Sequence, residues 1–185
     1  GPAMNIHRTA FSGRNFEYYS EDGVLSGAMA ASAIAGAQEH GVYAYMKHFA
    51  LNDQEGNRNC MAATWSNEQA IREIYLKPFE MSVKDADCHA VMSSFNYIGN
   101  RWAGGCSELL QNVLRGEWGF DGAVVTDWGG SNSIVEGVRE GMNLEMPAAG
   151  DDSPCQLVKA VKDGTIDEKI IDERVDQLLD FVLAA

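Results

Sequence analysis

Short apolar runs alternate with longer amphipathic stretches along the chain, and this alternation predicts its secondary structure. Each short run is bounded by polar or turn-forming residues, which is typical of β-strands. We expect strands at Pro2–His7, Val42–Phe49, Ala90–Asn96, Gly122–Asp127 and Met142–Met146. The runs Ala-Val-Val-Thr and His-Ala-Val-Met are apolar on both faces, which is typical of a parallel sheet covered on both sides.

The longer stretches have the residue spacing of helices. We expect helices over residues 22–39, 66–85, 107–117, 153–163 and 167–184. Ser66-Asn67-Glu68 is a helix-start signal, and Ser107 is a candidate N-cap. One face of the second helix carries Ile71, Ile74, Tyr75 and Phe79, and one face of the last carries Ile170, Ile171, Val175, Leu178, Leu179 and Val182.

The alternation of strands and helices predicts an α/β fold with a parallel sheet, either doubly wound or a (β/α) barrel. Because no G-x-G-x-x-G follows the first strand, the barrel is favoured over a dinucleotide-binding fold. A complete barrel has eight strands and about 250 residues, whereas this chain has 185 residues and about five predicted strands. We therefore expect a partial TIM-type (β/α) barrel that ends in a helical tail and lacks its first strands.

The composition excludes several classes of protein. The formal net charge of −13 argues against nucleic acid and against an anionic membrane surface, since both bind through clustered Lys and Arg. No apolar run approaches the roughly 18 to 20 residues of a membrane span. The cysteines, Cys60, Cys88, Cys106 and Cys155, include no C-x-x-C pair. We expect buried reduced thiols rather than a zinc site, which favours a cytoplasmic protein, with secretion as the alternative.

Charged and amide residues follow several of the predicted strands. Arg14 follows the first, Lys47 and His48 end the second, and Asp127 and Trp128 end the fourth. Each has an ordinary structural interpretation, such as a turn aspartate or a core histidine. Because the carboxyl ends of barrel strands meet at one face, these residues converge. Cations, a carboxylate and an indole suit a polyhydroxylated ligand, so the sequence predicts a carbohydrate site.

Seven sequence blocks, in this order, resemble the catalytic barrel of glycoside hydrolase family 3, which includes β-glucosidases and β-xylosidases. They are GPAMNIHR, GRNFEYYSED, KHFALNDQEGNR, REIYLKPFE, VMSSFN, LRGEWGFDGAVVTDW and GMNLEMP. The resemblance implies that residues 1–185 are a portion of that barrel. It implies a retaining glycosidase that releases terminal non-reducing β-D-glucosyl or similar residues, with no metal and no cofactor.

The resemblance also implies a role for individual residues. Asp127 matches the nucleophile that forms the glycosyl-enzyme intermediate, and nearby cations are expected to keep its pKa low. Residues that match the sugar-binding subsite are Arg14, Lys47, His48, Arg58, Met92 and Trp128. Phe95 stands where the family commonly has a tyrosine that hydrogen-bonds the nucleophile; losing that bond would cost about 1 to 3 kcal/mol.

The second catalytic carboxyl group is not implied within this chain. After Lys47-His48-Phe49 the chain reads Ala-Leu-Asn-Asp-Gln-Glu instead of the Pro-Gly-His-Gly-Asp pattern of the N-acetylglucosaminidase branch. It therefore resembles the branch whose acid/base lies on a following C-terminal domain of the same polypeptide. Glutamates that are present, such as Glu17, Glu55, Glu117 and Glu145, are interpreted as structural, and the chain alone is expected to turn over little substrate.

Two other functions are compatible with these residues. A sugar-binding or scaffold fragment would keep the barrel without turnover. An aldolase would use Lys47 as a Schiff-base lysine. A partial barrel exposes sheet edges that favour association, so a homo-oligomer is a further expectation.

Overall fold

Three strands form a parallel sheet in the computed structural model, which describes residues 1–148 and 152–184. The strands of the chain are β1 (Tyr45–Phe49), β2 (Ala63–Thr64), β3 (Ala90–Ser93), β4 (Tyr97–Ile98), β5 (Arg101–Trp102) and β6 (Ala123–Val125). The parallel sheet has the order β1-β3-β6. All three strands are largely buried, as the apolar runs predict.

Helices connect the strands of this sheet and follow it. They are α1 (Gly23–Gln38), α2 (Glu68–Ala70), α3 (Lys77–Ala86), α4 (Ile134–Glu140), α5 (Asp152–Lys162) and α6 (Glu168–Leu183). Two segments, Ile71–Tyr75 and Glu108–Glu117, are π-helical, and Asn15–Glu17, Arg58–Cys60 and Ala103–Gly105 form 3₁₀ turns. The prediction of an α/β fold with a parallel sheet is confirmed; within the described residues the sheet does not close into a barrel.

The first and last predicted strands are shorter than expected. Ala3 forms one parallel bridge to Lys47 beside β1, and Leu144 forms one to Val125 beside β6. The segment at Ala3 therefore lies next to β1 and the segment at Leu144 lies next to β6, so the order across the sheet follows the chain. Neither segment forms a continuous strand.

The core lies between the sheet and the helices that pack on it. Phe49 of β1 contacts Phe79 of α3 and Trp118, with ring centroids 5.1 and 5.9 Å apart. Leu109, Leu110, Val113 and Leu114 are buried, as their spacing predicts. Because β1, β3 and β6 pair in parallel, the loops at their carboxyl ends meet on one side of the sheet.

Several local predictions are wrong. Ser107 makes no side-chain capping bond, whereas Asn67 accepts the N–H of Ala70 at 2.8 Å, as the Ser-Asn-Glu signal predicts. Ile74 is exposed rather than on the buried face, because the π-helical turn, closed by Leu76 N–H to Ile71 O, rotates it out of the α-helical spacing.

A small second sheet and one short helix have no counterpart in the predictions. β2, β4 and β5 form a small second sheet beside the carboxyl end of β3, and its strands of two residues are too short to produce a pattern. Helix α4 begins at Ile134, where the Ser133 hydroxyl accepts the N–H of Glu136.

The helical tail leaves part of its apolar stripe in solvent. Val175, Leu179 and Val182 of α6 are exposed, whereas Arg174 is buried. No helix in the described ranges is both long and apolar enough to cross a bilayer. Cys88 and Cys106 are buried free thiols as expected, Cys155 is exposed, which corrects the expectation, and the side chain of Cys60 lies outside the described part.

Candidate active site

Asp127 follows β6 at the carboxyl end of the parallel sheet. Its two carboxylate oxygens have different surroundings. Oδ1 accepts a hydrogen bond from the backbone N–H of Trp128 at 2.7 Å. Oδ2 is buried without a hydrogen-bond partner among the described residues, and Arg58 Nη1 lies 3.5 Å and His48 Nε2 3.8 Å from it. One oxygen is therefore held in place, and the other is available to a ligand.

The pKa of Asp127 departs from the sequence prediction. Burial raises it above its usual value, and the Trp128 N–H and the cations Arg58, Arg14 and Lys47 oppose that increase without reversing it. The expectation of a low pKa is therefore wrong in direction. The physical reason is that the carboxylate loses more hydration than the nearest cation restores, because Arg58 Nη1 is beyond hydrogen-bonding distance at 3.5 Å.

The three predicted cations lie on one network around the site. Glu17 accepts a hydrogen bond from Arg14 Nε and pairs with Lys47 Nζ at 3.4 Å. Glu55 pairs with Arg58 Nε at 3.2 Å and with Arg14 Nε at 3.9 Å. These glutamates therefore orient the cations, in keeping with the structural role expected for them.

His48 is the buried floor of the site, at 1% exposure. Its backbone N–H donates to Asn5 Oδ1 at 2.8 Å, and Asn5 Nδ2 donates to its carbonyl oxygen at 2.9 Å. The Tyr18 hydroxyl oxygen lies 3.4 Å from its Nδ1. Burial, together with the nearby positive charges of Arg14 and Lys47, lowers the pKa of His48 to about 2, so the imidazole is neutral over the working pH range of proteins.

Phe95 packs against the Arg58 guanidinium, which lies 3.5 Å from the Asp127 carboxylate. The Arg58 guanidinium lies 4.4 Å from the centroid of the Phe95 ring, a cation–π contact. A methyl group at Gly130 would lie 3.3 Å from Asp127 Cβ and 3.4 Å from Phe95 Cε1. The absence of a side chain at Gly130 therefore leaves room for both the Asp127 side chain and the Phe95 ring at this point.

The two predicted apolar walls differ in burial. Met92 is half-buried on β3, where it pairs with Val125 two residues before Asp127. The Trp128 side chain is 66% exposed. Its backbone, rather than its indole, contacts Asp127.

Sequence reasoning missed four buried polar residues behind the site. Asn5 and Tyr18 contact His48, and the Tyr18 hydroxyl donates to the carbonyl oxygen of Asn52. Asp53 Oδ1 accepts the N–H of Ile6 at 3.1 Å, while burial raises the pKa of Asp53 to about 6. All four lie within the quoted blocks GPAMNIHR, GRNFEYYSED and KHFALNDQEGNR, so the blocks contained the signal although single residues did not stand out.

The site combines one carboxylate oxygen that has no hydrogen-bond partner among the described residues with cationic donors and a neutral imidazole. Such a set can hold several hydroxyl groups of one ligand while presenting Oδ2 of Asp127 to an electrophilic carbon.

The chain is similar in sequence to known proteins over most of its length. The chain is 47% identical over 165 residues to a β-glucosidase from Rhizobium radiobacter. The matched region covers 89% of this chain and 20% of that protein. It is 43% identical over 188 residues to thermostable β-glucosidase B from Acetivibrio thermocellus, covering 100% of this chain and 24% of that protein. The chain thus spans about a quarter or less of these relatives.

A solved structure with the same fold is β-glucosidase 3B from Thermotoga neapolitana in complex with α-D-glucose. It is 42% identical to this chain and has a TM-score of 0.95. The aligned region covers 99% of this chain and 26% of the chain in that structure. Residues 1–181 match the family description "Glycosyl hydrolase family 3 N terminal domain". A match over nearly the whole chain shows the family: this chain belongs to glycosyl hydrolase family 3.

Proposed function

We propose that this chain carries the nucleophile half of a retaining glycosidase that releases terminal non-reducing β-D-glucosyl or similar residues. The observation that carries the proposal is Asp127 Oδ2, which is buried, unpartnered within the described residues and 3.5 Å from Arg58. A buried carboxylate oxygen without a partner costs free energy, so it is expected where a ligand completes the site. The relatives named β-glucosidase support the substrate class.

In this proposal Asp127 Oδ2 attacks the anomeric carbon while Oδ1 stays bound to the Trp128 N–H. The bond from the anomeric carbon to the leaving oxygen breaks, and that oxygen takes a proton from a general acid. Water then attacks the same carbon, the ester bond to Asp127 breaks, and the acid group, now a base, removes the proton of the water. Lys47 and Arg14 donate to sugar hydroxyls, and Met92 and Trp128 contact the C–H faces of the sugar.

The general acid is proposed to lie on another domain of the same polypeptide. Retention needs two carboxyl groups roughly 5 to 5.5 Å apart, and the general acid must start protonated. The nearby glutamates, Glu17 and Glu55, are both engaged in ion pairs that orient the cations of the site. Neither suits the acid role.

The fold proposal is a (β/α) barrel completed by other segments of a longer chain. Its support is the order of parallel neighbours, from Ala3 through β1, β3 and β6 to Leu144, which follows the chain order as in a barrel. The exposed apolar stripe of α6, at Val175, Leu179 and Val182, is a surface that further segments would cover.

Covalent trapping tests the role of Asp127. A 2-deoxy-2-fluoro-β-D-glucoside with a dinitrophenyl leaving group needs little acid assistance, so it isolates the first step. We expect intact-mass spectrometry to show one sugar adduct and peptide mapping to place it on Asp127. Asp127→Asn should show none, whereas Asp121→Asn, an exposed aspartate next to His89, should be labelled like the wild type. Full labelling of Asp127→Asn, or an adduct elsewhere, would contradict the proposal.

Two further measurements separate the alternatives. With an aryl β-glucoside, the 185-residue chain should turn over far more slowly than a complete polypeptide that contains it; equal rates would contradict an acid/base outside this chain. Calorimetric binding of glucose without covalent trapping in either protein would instead support the non-catalytic, sugar-binding function.

A further inference from the structure

The two ring nitrogens of His48 face different surroundings. Nδ1 points into the protein, where Tyr18 Oη and Asn5 Oδ1 both lie 3.4 Å away. Nε2 faces the site, 3.8 Å from Asp127 Oδ2. Because the buried imidazole is neutral, only one of these nitrogens carries a hydrogen, and its position decides whether Nε2 donates or accepts.

The Asn5 side chain presents an acceptor to Nδ1. Its amide is bound on both sides to the backbone of His48: Nδ2 donates to the carbonyl oxygen and Oδ1 accepts the N–H. A flipped amide would set donor against donor and acceptor against acceptor, so the backbone fixes the orientation. The atom next to Nδ1 is therefore the carbonyl-type oxygen of Asn5, which cannot donate.

The Tyr18 hydroxyl also presents an acceptor to Nδ1. A phenol has one hydrogen, and the carbonyl oxygen of Asn52, 3.1 Å from Tyr18 Oη, can only accept. This shorter contact uses the hydrogen, so Tyr18 turns a lone pair toward His48. Both neighbours of Nδ1 are then acceptors, and a hydrogen on Nδ1 satisfies them.

We propose that Asn5 and Tyr18 are positioning residues that hold His48 in its Nδ1–H tautomer, so that Nε2 is a hydrogen-bond acceptor toward the site. In this state Nε2 cannot donate to Asp127 Oδ2, which has no hydrogen-bond partner among the described residues. The sugar hydroxyl that meets His48 must then be the donor, whereas Lys47 and Arg58 supply donors of their own. This inference rests on the proposed carbohydrate site only for its consequence for the ligand.

Nitrogen NMR of the histidine side chains tests the tautomer directly. The chain contains 4 histidines, and the His48→Gln variant identifies the signals of His48. In ¹⁵N-histidine-labelled wild type we expect Nδ1 to show the protonated, pyrrole-type shift and Nε2 the pyridine-type shift, both unchanged between pH 5 and pH 8. A proton on Nε2, or an imidazolium in this range, would overturn the proposal whether or not the chain binds sugar.

A tyrosine pair tests the positioning role. Tyr18→Phe leaves Asn5 as the one remaining acceptor, so part of the His48 population should shift to the Nε2–H form. Glucose affinity measured by calorimetry should fall roughly threefold to tenfold, as expected for one hydrogen bond. Tyr19→Phe, a neighbour that packs against the core, should change neither. An unchanged tautomer ratio in Tyr18→Phe would remove Tyr18 from the proposal.

Deoxy and deoxyfluoro glucoses test the polarity of the ligand contact. Removing the hydroxyl that contacts His48 should lower the affinity of the wild type. The same removal should not lower the affinity of His48→Ala, and this difference identifies the hydroxyl. Because fluorine accepts but does not donate, the fluoro analogue at that position should bind wild type no better than the deoxy analogue. Retained affinity would place the donor on His48 and overturn the inference. If no analogue binds, the carbohydrate proposal fails while the tautomer result stands.

Discussion

Replacing Asp53 by asparagine should change how the stability of the chain depends on pH. Asp53 is 3% exposed, its Oδ1 accepts the N–H of Ile6, and its Oδ2 is buried without a partner in the described part of the chain. Burial raises its pKa from 3.8 to about 6, although the Ile6 N–H and Arg8 act in the opposite direction. The folded state therefore holds the Asp53 proton more tightly than the unfolded state does.

The sign and size of the effect follow from this difference in pKa. The stability contributed by protonated Asp53 is fully present below about pH 3 and is lost as the pH rises from 3.8 to about 6, because ionisation is easier in the unfolded chain. The difference between 3.8 and about 6 corresponds to about 3 kcal/mol at 1.36 kcal/mol per pH unit. Asparagine has nearly the same shape and cannot ionise, so Asp53→Asn does not lose this contribution.

Urea unfolding at several pH values measures the effect. The free energy of unfolding of Asp53→Asn minus that of the wild type should rise by about 3 kcal/mol between pH 3 and pH 8, whatever its value at pH 3. The solvent-exposed Asp85 provides a control, since Asp85→Asn removes one negative charge without relieving a buried carboxylate. Parallel stability curves for Asp53→Asn and wild type would refute the reasoning, because they would mean that Asp53 is ionised at the same pH in both states.

Three further predictions concern the site and the sheet. Arg58→Gln should raise the pKa of Asp127, because a positive charge 3.5 Å away is lost. The pKa can be measured by ¹³C NMR of the carboxyl group. The lost charge interaction is worth about 1 kcal/mol at the dielectric constant of water and about 5 kcal/mol at that of a protein surface. Phe95→Tyr should lower the same pKa by about 1 to 2 units where its hydroxyl donates to the unpartnered Oδ2. Gly122→Ala should destabilise the chain by about 3 kcal/mol or more in urea unfolding, since the new methyl carbon would lie 1.8 Å from the His89 carbonyl oxygen.

Each of these predictions has a contradicting outcome, and two of them have a matched control variant. Arg72→Gln removes an arginine that pairs with Glu117 on the surface and should leave the titration of Asp127 unchanged; an equal shift in both variants would mean a general charge effect. An unmoved pKa in Phe95→Tyr would show that the new hydroxyl does not reach Oδ2. Gly36→Ala, where a methyl group meets nothing within 4 Å, should be neutral or stabilising by up to about 1 kcal/mol, and a loss equal to that of Gly122→Ala would refute the clash.

The sequence by itself determined the elements whose signal is local. The buried strands β1, β3 and β6 and the helix that buries Leu110 and Leu114 follow from hydrophobic periodicity, which is set by neighbours a few residues apart. The convergence of His48 and Asp127 was also predictable, because parallel strands deliver their carboxyl ends to one edge. Elements with weak local signals were missed, such as the two-residue strand β2 and the short helix α4.

Only the tertiary structure decided the chemical state of the site. Asp127 was expected to have a low pKa beside its cations, yet its burial raises that pKa. His48 is neutral, and its hydrogen is directed by Asn5 and Tyr18. Charge state and tautomer depend on burial and on ångström-scale distances between residues far apart in the chain, and those quantities have no counterpart in the order of residue types.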